Sequence, residues 1–188
     1  SYFDRGMERV PLLKEELREI MEEDSGKGHL IATTACMGGE LSKTITAYHV
    51  AKESGHLDEA EAIGQKVLEF LQFCIDVFGQ NDFYLECAPS TASDQITVNQ
   101  YLWDIANKFH IQLVAATDSH YLTQETRFAH KAYLNSKGGE REVDSFYEFA
   151  RLMTEDEVRE LLELSFEKWA VDVVIRNTEI MRGSIQWY

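Results

Sequence analysis

An α/β fold with parallel strands and surrounding helices is predicted for this chain by three observations. Three short apolar runs with strand character, His29 to Thr34, Asp82 to Cys87 and Gln112 to Thr117, alternate with stretches of helical periodicity. Crossover helices between successive strands keep those strands parallel and right-handed in connection. Three strands are too few for a closed barrel, which needs about eight, so a small open sheet or part of a larger barrel is expected. The 188 residues suffice for one domain with a real core, and 44% hydrophobic content with three tryptophans excludes wholesale disorder.

Taken in order, the elements read as follows. After Pro11, the apolar residues Leu12, Leu13, Leu17, Ile20 and Met21 recur at helical spacing, with Gly26 and Gly28 as the stop. The first strand, His29 to Thr34, runs into a turn of small residues, Ala35 to Gly39. Helices over Glu40 to Ser54 and Leu57 to Phe78 are parted at Gly55, the second with Ile63, Val67, Phe70, Leu71, Cys74 and Ile75 on one face. Gly79 to Asp82 turns into the second strand, which Pro89 breaks. Ser93 or Asp94 is placed to cap a helix reaching about Phe109. A helix from about Gln124 to Ser136 follows the third strand and ends at Lys137-Gly138-Gly139. Thr154 to Glu157 has capping-box spacing, and a last helix runs from Ser165 to Met181, ending near Gly183.

The net charge of −15, from 18 basic and 33 acidic side chains, argues against a surface that tracks a nucleic-acid backbone. It leaves open phosphate chemistry at a bound cation, which inverts the local field. Cys36, Cys74 and Cys87 are widely spaced and include no Cys-x-x-Cys, so a reducing cytoplasm is the expected location. No stretch approaches the roughly 20 apolar residues of a membrane span, and no signal-peptide pattern is visible in Ser1 to Arg5.

Candidate chemistry gathers at the strand ends. The third strand finishes in Asp118-Ser119-His120, a carboxylate and an imidazole that can converge on one cation such as zinc, manganese or iron. The bland alternative is an exposed turn in which Asp118 caps the next helix. In a parallel sheet the C-terminal ends of all strands share one edge, where α/β sites sit. That edge would also receive Cys36 and Ala88-Pro89-Ser90. Cys36 is then either a third ligand or a buried small hydrophobe. Glu86 reads as a ligand, an acceptor that supports one, or a solvated charge. His130 reads as a packing residue or a support for the ligands, and His29, His49, His56 and His110 as structural.

Leu30 to Leu41, with Cys36 inside it, is similar to "LIATSGCLGGEI" of the polymerase-and-histidinol-phosphatase (PHP) domain of the bacterial or phage replicative DNA polymerase III α subunit. Asp82-Phe83-Tyr84-Leu85-Glu86 resembles that family's "DFYLEL", and Val114 to Leu122 its "LVATNDSHYL". Val98 to Leu102, Ala129 to Ala132 and Asn177 to Ile180 match three further motifs in order, so the resemblance spans about residues 10 to 182. It implies a distorted (β/α)7 barrel with metals at the strand C-termini, ligand roles for Cys36, Asp118 and His120, and phosphoesterase chemistry of the 3′–5′ exonuclease type. Residues 1–140 would be the C-terminal half of that barrel and 141–188 its closing helices.

Two departures accompany the resemblance. The family's opening His-x-His strand and the ligands after it have no counterpart here, so a fragment lacking the first half of the barrel is expected. Ser90 stands where the family commonly has a histidine. The isolated chain is therefore expected to be inactive, with zinc or manganese at partial or no occupancy, and to self-associate through free sheet edges. Its expected partners are the remainder of the polymerase and, through it, DNA. A non-catalytic scaffold for the polymerase core or for a replication partner is the alternative.

Overall fold

The computed structural model describes residues 12–23, 28–136 and 147–185. Among these the element order is α1 (Lys14–Glu22), β1 (Ala32–Thr33), α2 (Glu40–Glu53), α3 (Leu57–Phe78), β2 (Phe83–Cys87), α4 (Ser93–Phe109), β3 (Gln112–Ala115), a 3-10 turn (Gln124–Thr126), α5 (Arg127–Asn135), α6 (Glu155–Leu162) and α7 (Lys168–Ser184). The α/β class and the parallel arrangement stand as expected. β1, β2 and β3 lie side by side in that order, and both pairings are parallel.

Consecutive burial of Phe83, Tyr84 and Leu85 shows why β2 is central, because only a strand covered on both faces buries successive side chains. α3 and α4 lie against β2, α4 also reaches β3, and α7 packs along β3. The core is Leu41 and Ile45 of α2, Val67, Leu71 and Cys74 of α3, and Val98 and Leu102 of α4, closed by Leu162, Val171 and Val174. Burial pushes the Cys74 thiol up to about 12, the behaviour of a packing residue.

Several boundaries differ from expectation, each for a local reason. β1 is two residues long rather than six. Its ladder to β2 begins where Ala32 N–H donates to Asp82 O (2.8 Å) and ends where Thr34 N–H donates to Tyr84 O (3.2 Å). Neither Ser93 nor Asp94 caps α4. Ala92 is the cap residue, and its own N–H donates to Ser90 Oγ at 3.0 Å. The segment from Gln124 splits into the 3-10 turn and α5, and Lys137 to Gly139 lie outside the described residues, as do Pro11 and Gly26. α7 starts at Lys168, three residues late, because Ser165 and Phe166 still turn back on Leu162 O, and it runs through Gly183 to Ser184. The Thr154 capping box forms: Glu157 N–H donates to Thr154 Oγ1 (3.3 Å) and Thr154 N–H to Glu157 Oε2 (2.8 Å).

Candidate functional site

All three strands deliver their C-terminal residues to one edge, where a cleft of about 190 Å³ opens. Cys36 and Met37 follow β1, Ala88 to Ser90 follow β2, and Thr117 and Asp118 follow β3. Phe149 and Ala150 close the other side. The backbone leaves the sheet abruptly here. Ala35 (φ 58°) and Asp118 (φ 46°) are both in the left-handed region, which costs a residue with a side chain about 1–2 kcal/mol. Strain of this kind collects at functional sites. Gly39 is required by close approach, since a Cβ there would sit 2.5 Å from Thr34 O and 3.1 Å from Cys36 O.

Cys36 and Asp118, distant in sequence, line the same cleft, close enough for the carboxylate to act on the thiol. Partial burial raises the thiol pKa, the Asp118 charge raises it further, and the Gly38 amide offsets part of the effect. Cys36 is half-buried at the cleft, unlike Cys74 and Cys87, which are sealed in the core.

His120 stands beside this pair and does not line the cleft. Its Nδ1 lies 2.6 Å from the Asp118 carbonyl oxygen and 3.9 Å from Asp118 Oδ1. A carbonyl only accepts, so Nδ1 is the donor, and in the neutral ring the lone pair is left on Nε2. This is the tautomer in which Nε2 can bind a metal, with the backbone fixing the ring. The ring packs 5.0 Å from Tyr147 and 5.4 Å from His130.

His130 itself is a packing residue between Tyr121 and Tyr147, and its Nδ1 is buried without a hydrogen-bond partner among the described residues. Burial, followed by the neighbouring His120, lowers its pKa, so the neutral ring is favoured. Glu86 accepts a hydrogen bond from Thr33 Oγ1 at 2.8 Å. Burial and the Asp118 charge raise its pKa, while Thr33 opposes them.

Thiol, carboxylate and imidazole suit zinc or manganese in kind, and they fall short in number. Among the described residues, no three His, Cys, Asp or Glu side chains are grouped to hold an ion. Among the described residues no lysine or arginine lines the cleft, whereas Asp94 and Asp118 do. Among these lining residues a phosphoester would meet negative charge, which a bound cation would offset.

Three features of the site's support escaped the sequence reading. Asn99 on α4 is fully buried and clamps the end of β2: its Nδ2 donates to Ala88 O (2.9 Å) and Ser165 Oγ (3.0 Å), and its Oδ1 accepts from Ala88 N–H (3.3 Å). A polar residue among the apolar positions Val98, Leu102 and Ala106 was the available signal. On α7, Thr178 Oγ1 accepts the outward N–H of Ala115 (2.9 Å) and Asn177 Nδ2 donates to Leu113 O (3.1 Å), so the outer edge of β3 is not bare. Finally, Tyr121 pairs with Arg151 as an isolated parallel bridge, and its hydroxyl donates to the carbonyls of Tyr147 and Glu148 (both 2.8 Å), fixing the cleft wall at Phe149 and Ala150.

Comparison with known proteins gives this geometry a context. No protein-family profile matches the chain. Across all 188 residues it is 39% identical to the probable DNA polymerase YorL of Bacillus subtilis (strain 168) and, equally, to a DNA-directed DNA polymerase of Bacillus phage SPbeta. This is a polymerase-related sequence. Over 112 residues, 60% of the chain, it is also 34% identical to the DNA polymerase III subunit alpha of Aquifex aeolicus (strain VF5). The chain spans 14% of the length of the first two relatives and 8% of the third. Among the described residues no helix is long and apolar enough to cross a membrane.

Proposed function

We propose that this chain is the C-terminal half of a PHP-type domain within a DNA polymerase acting in replication. In this reading its strand ends supply part of a divalent-metal centre for phosphoester hydrolysis of the 3′–5′ exonuclease type. The observation that carries it is the convergence of Cys36 and Asp118 on one cleft at the C-terminal edge of the sheet. His120 supports it by presenting a lone pair on Nε2. The remaining ligands and the remaining partner surface come from elsewhere in the polymerase, through which the chain is brought to DNA.

In this reading a bound zinc or manganese ion would polarise the phosphoryl group and lower the pKa of a bound water. The chain's own residues prepare for that. The Asp118 carbonyl holds the His120 ring in the tautomer that leaves Nε2 unprotonated. Cys36 must lose a proton that its surroundings retain, so metal uptake releases a proton and weakens as pH falls. Zinc titration of the chain by calorimetry tests the reading. Asp118→Asn and Cys36→Ser should each abolish the binding that the chain alone provides, with the fold intact by circular dichroism. Equal binding in all three proteins would remove these residues from the centre.

A second reading, a non-catalytic scaffold for the polymerase core or a replication partner, is favoured by Ser90. Where the resembling family places a histidine, Ser90 is buried and accepts the Ala92 N–H to shape the turn. In the full-length polymerase the two readings separate on Asp118→Asn. Loss of manganese-dependent 3′–5′ exonuclease activity supports the metal centre, and unchanged nuclease and metal content supports the scaffold.

A further inference from the structure

A second cavity, of about 370 Å³, shares no residue with the Cys36–Asp118 cleft. It lies between α4, which contributes Gln100, Trp103 and Asp104, and the turn from α6 into α7. We propose that this groove docks a segment of a partner protein that presents an arginine beside an apolar side chain.

The floor is Phe166 and Ala170, both buried. The walls are Trp103 and Trp169, edge to face with centroids 5.5 Å apart, and Trp103 also lies 5.6 Å from Phe166. Trp169 is 62% exposed and Leu164 beside it 51% exposed, so a large aromatic face and an apolar shelf are left open to solvent. Guanidinium is planar and weakly hydrated and stacks on tryptophan more readily than any other side-chain cation.

Charge selects the same occupant. Asp104, Glu163 and Glu167 rim the groove, and among the described residues no lysine or arginine lines it. None of the three carboxylates has an ion-pair partner among the described residues, and Arg159 of α6 is committed to Glu155 and Asp172. Carboxylates around an aromatic wall provide bidentate acceptors for an arginine that has stacked. The same field repels a nucleic-acid backbone, and it repels a second copy of a chain carrying a net charge of −15. Tryptophan facing arginine at the centre of a contact is also the composition in which binding energy concentrates.

The test is a titration of the chain with acetyl-Leu-Arg-Leu-Arg-Leu-amide, followed by tryptophan fluorescence and by the indole N–H resonances of Trp103 and Trp169. Saturable binding that shifts both resonances is expected. Replacing both arginines by citrulline, which keeps the shape and removes the charge, should abolish it. Combining Asp104→Asn, Glu163→Gln and Glu167→Gln should weaken it about tenfold or more, as the loss of three exposed charge contacts would. Trp169→Ala should remove binding without changing the circular dichroism. The proposal is overturned by no saturable response, by equal binding of the citrulline peptide, or by unchanged affinity in the triple variant.

Discussion

β1 and β3 flank the same central strand, yet β1 contributes two ladder residues and β3 four. β3 is fastened from both sides. Its inner groups pair with β2, and two outward groups, Ala115 N–H and Leu113 O, are taken by Thr178 and Asn177 of α7. β1 has a side chain in place of a longer ladder: Thr34 Oγ1 accepts the N–H of Glu86 at 2.9 Å, just before Ala35 turns away. The candidate site thus joins a firmly held strand end carrying Asp118 to a lightly held one carrying Cys36. Under the proposed reading, a cation held by both would tie down the weaker end and make stability depend on the ion.

The largest effect is expected at the firm edge. Asn177→Ala combined with Thr178→Val leaves a backbone donor and an acceptor of β3 unpaired, and should cost about 2–4 kcal/mol in urea unfolding. Hydrogen exchange at the Ala115 amide should quicken in parallel. A loss below about 0.5 kcal/mol, the range of an ordinary surface change, would show that α7 does not hold the strand.

At the light edge, Thr34→Val leaves Glu86 N–H without its acceptor and should cost about 1–2 kcal/mol. The protection lost in hydrogen exchange should be confined to β1 and the facing part of β2. Spread into β3 would mean that the two edges are not independent.

Ala35→Gly should act in the opposite direction. Relief of the left-handed conformation is worth about 1–2 kcal/mol, and glycine's greater freedom in the unfolded chain returns up to about 1 kcal/mol. A net gain near 0.5 kcal/mol is therefore expected from a denaturant midpoint. A net loss would show that the Ala35 methyl group packs productively at the site.

The smallest effect concerns the wall that covers the cleft. Glu157 is held down to about 2 by its hydrogen bond to Arg151, helped by the Thr154 backbone and hydroxyl. The Arg151 contact, 2.6 Å, fastens the segment that carries Phe149 and Ala150. A depressed carboxyl pKa stabilises the fold above the group's ordinary value of 4.5, and that contribution disappears as pH falls through about 2. Glu157→Gln should be slightly less stable at neutral pH and should lack this acid-dependent loss. Parallel stability curves for the two proteins between pH 5 and 2 would count against the Arg151–Glu157 tie.

The sheet edge was legible because parallel topology follows from local information. Short apolar runs separated by helices leave one arrangement of strand ends, and that alone brings Cys36 and Asp118 together. What His120 faces was not legible. Its ring direction follows from a hydrogen bond to the Asp118 carbonyl and from packing on Tyr147 and His130, neither of which leaves a periodic trace. The α4 cap was misplaced for a similar reason: Ser90 reaches the Ala92 amide first, and several capping residues in one stretch compete without ranking themselves.

By itself the sequence determined the class of fold, the parallel direction of the strands, and the helices with strong periodicity. These depend on backbone chemistry and on apolar spacing within a few turns of chain. Only the tertiary structure decided that β1 shrinks to two residues, that α7 seals the outer edge of β3, and that Asn99 reaches both Ala88 and Ser165. It also decided that Trp103 and Trp169 stand face to edge across an acidic groove. Each of these is a contact between segments far apart in the chain, chosen by which buried polar groups and ring faces can be satisfied at once.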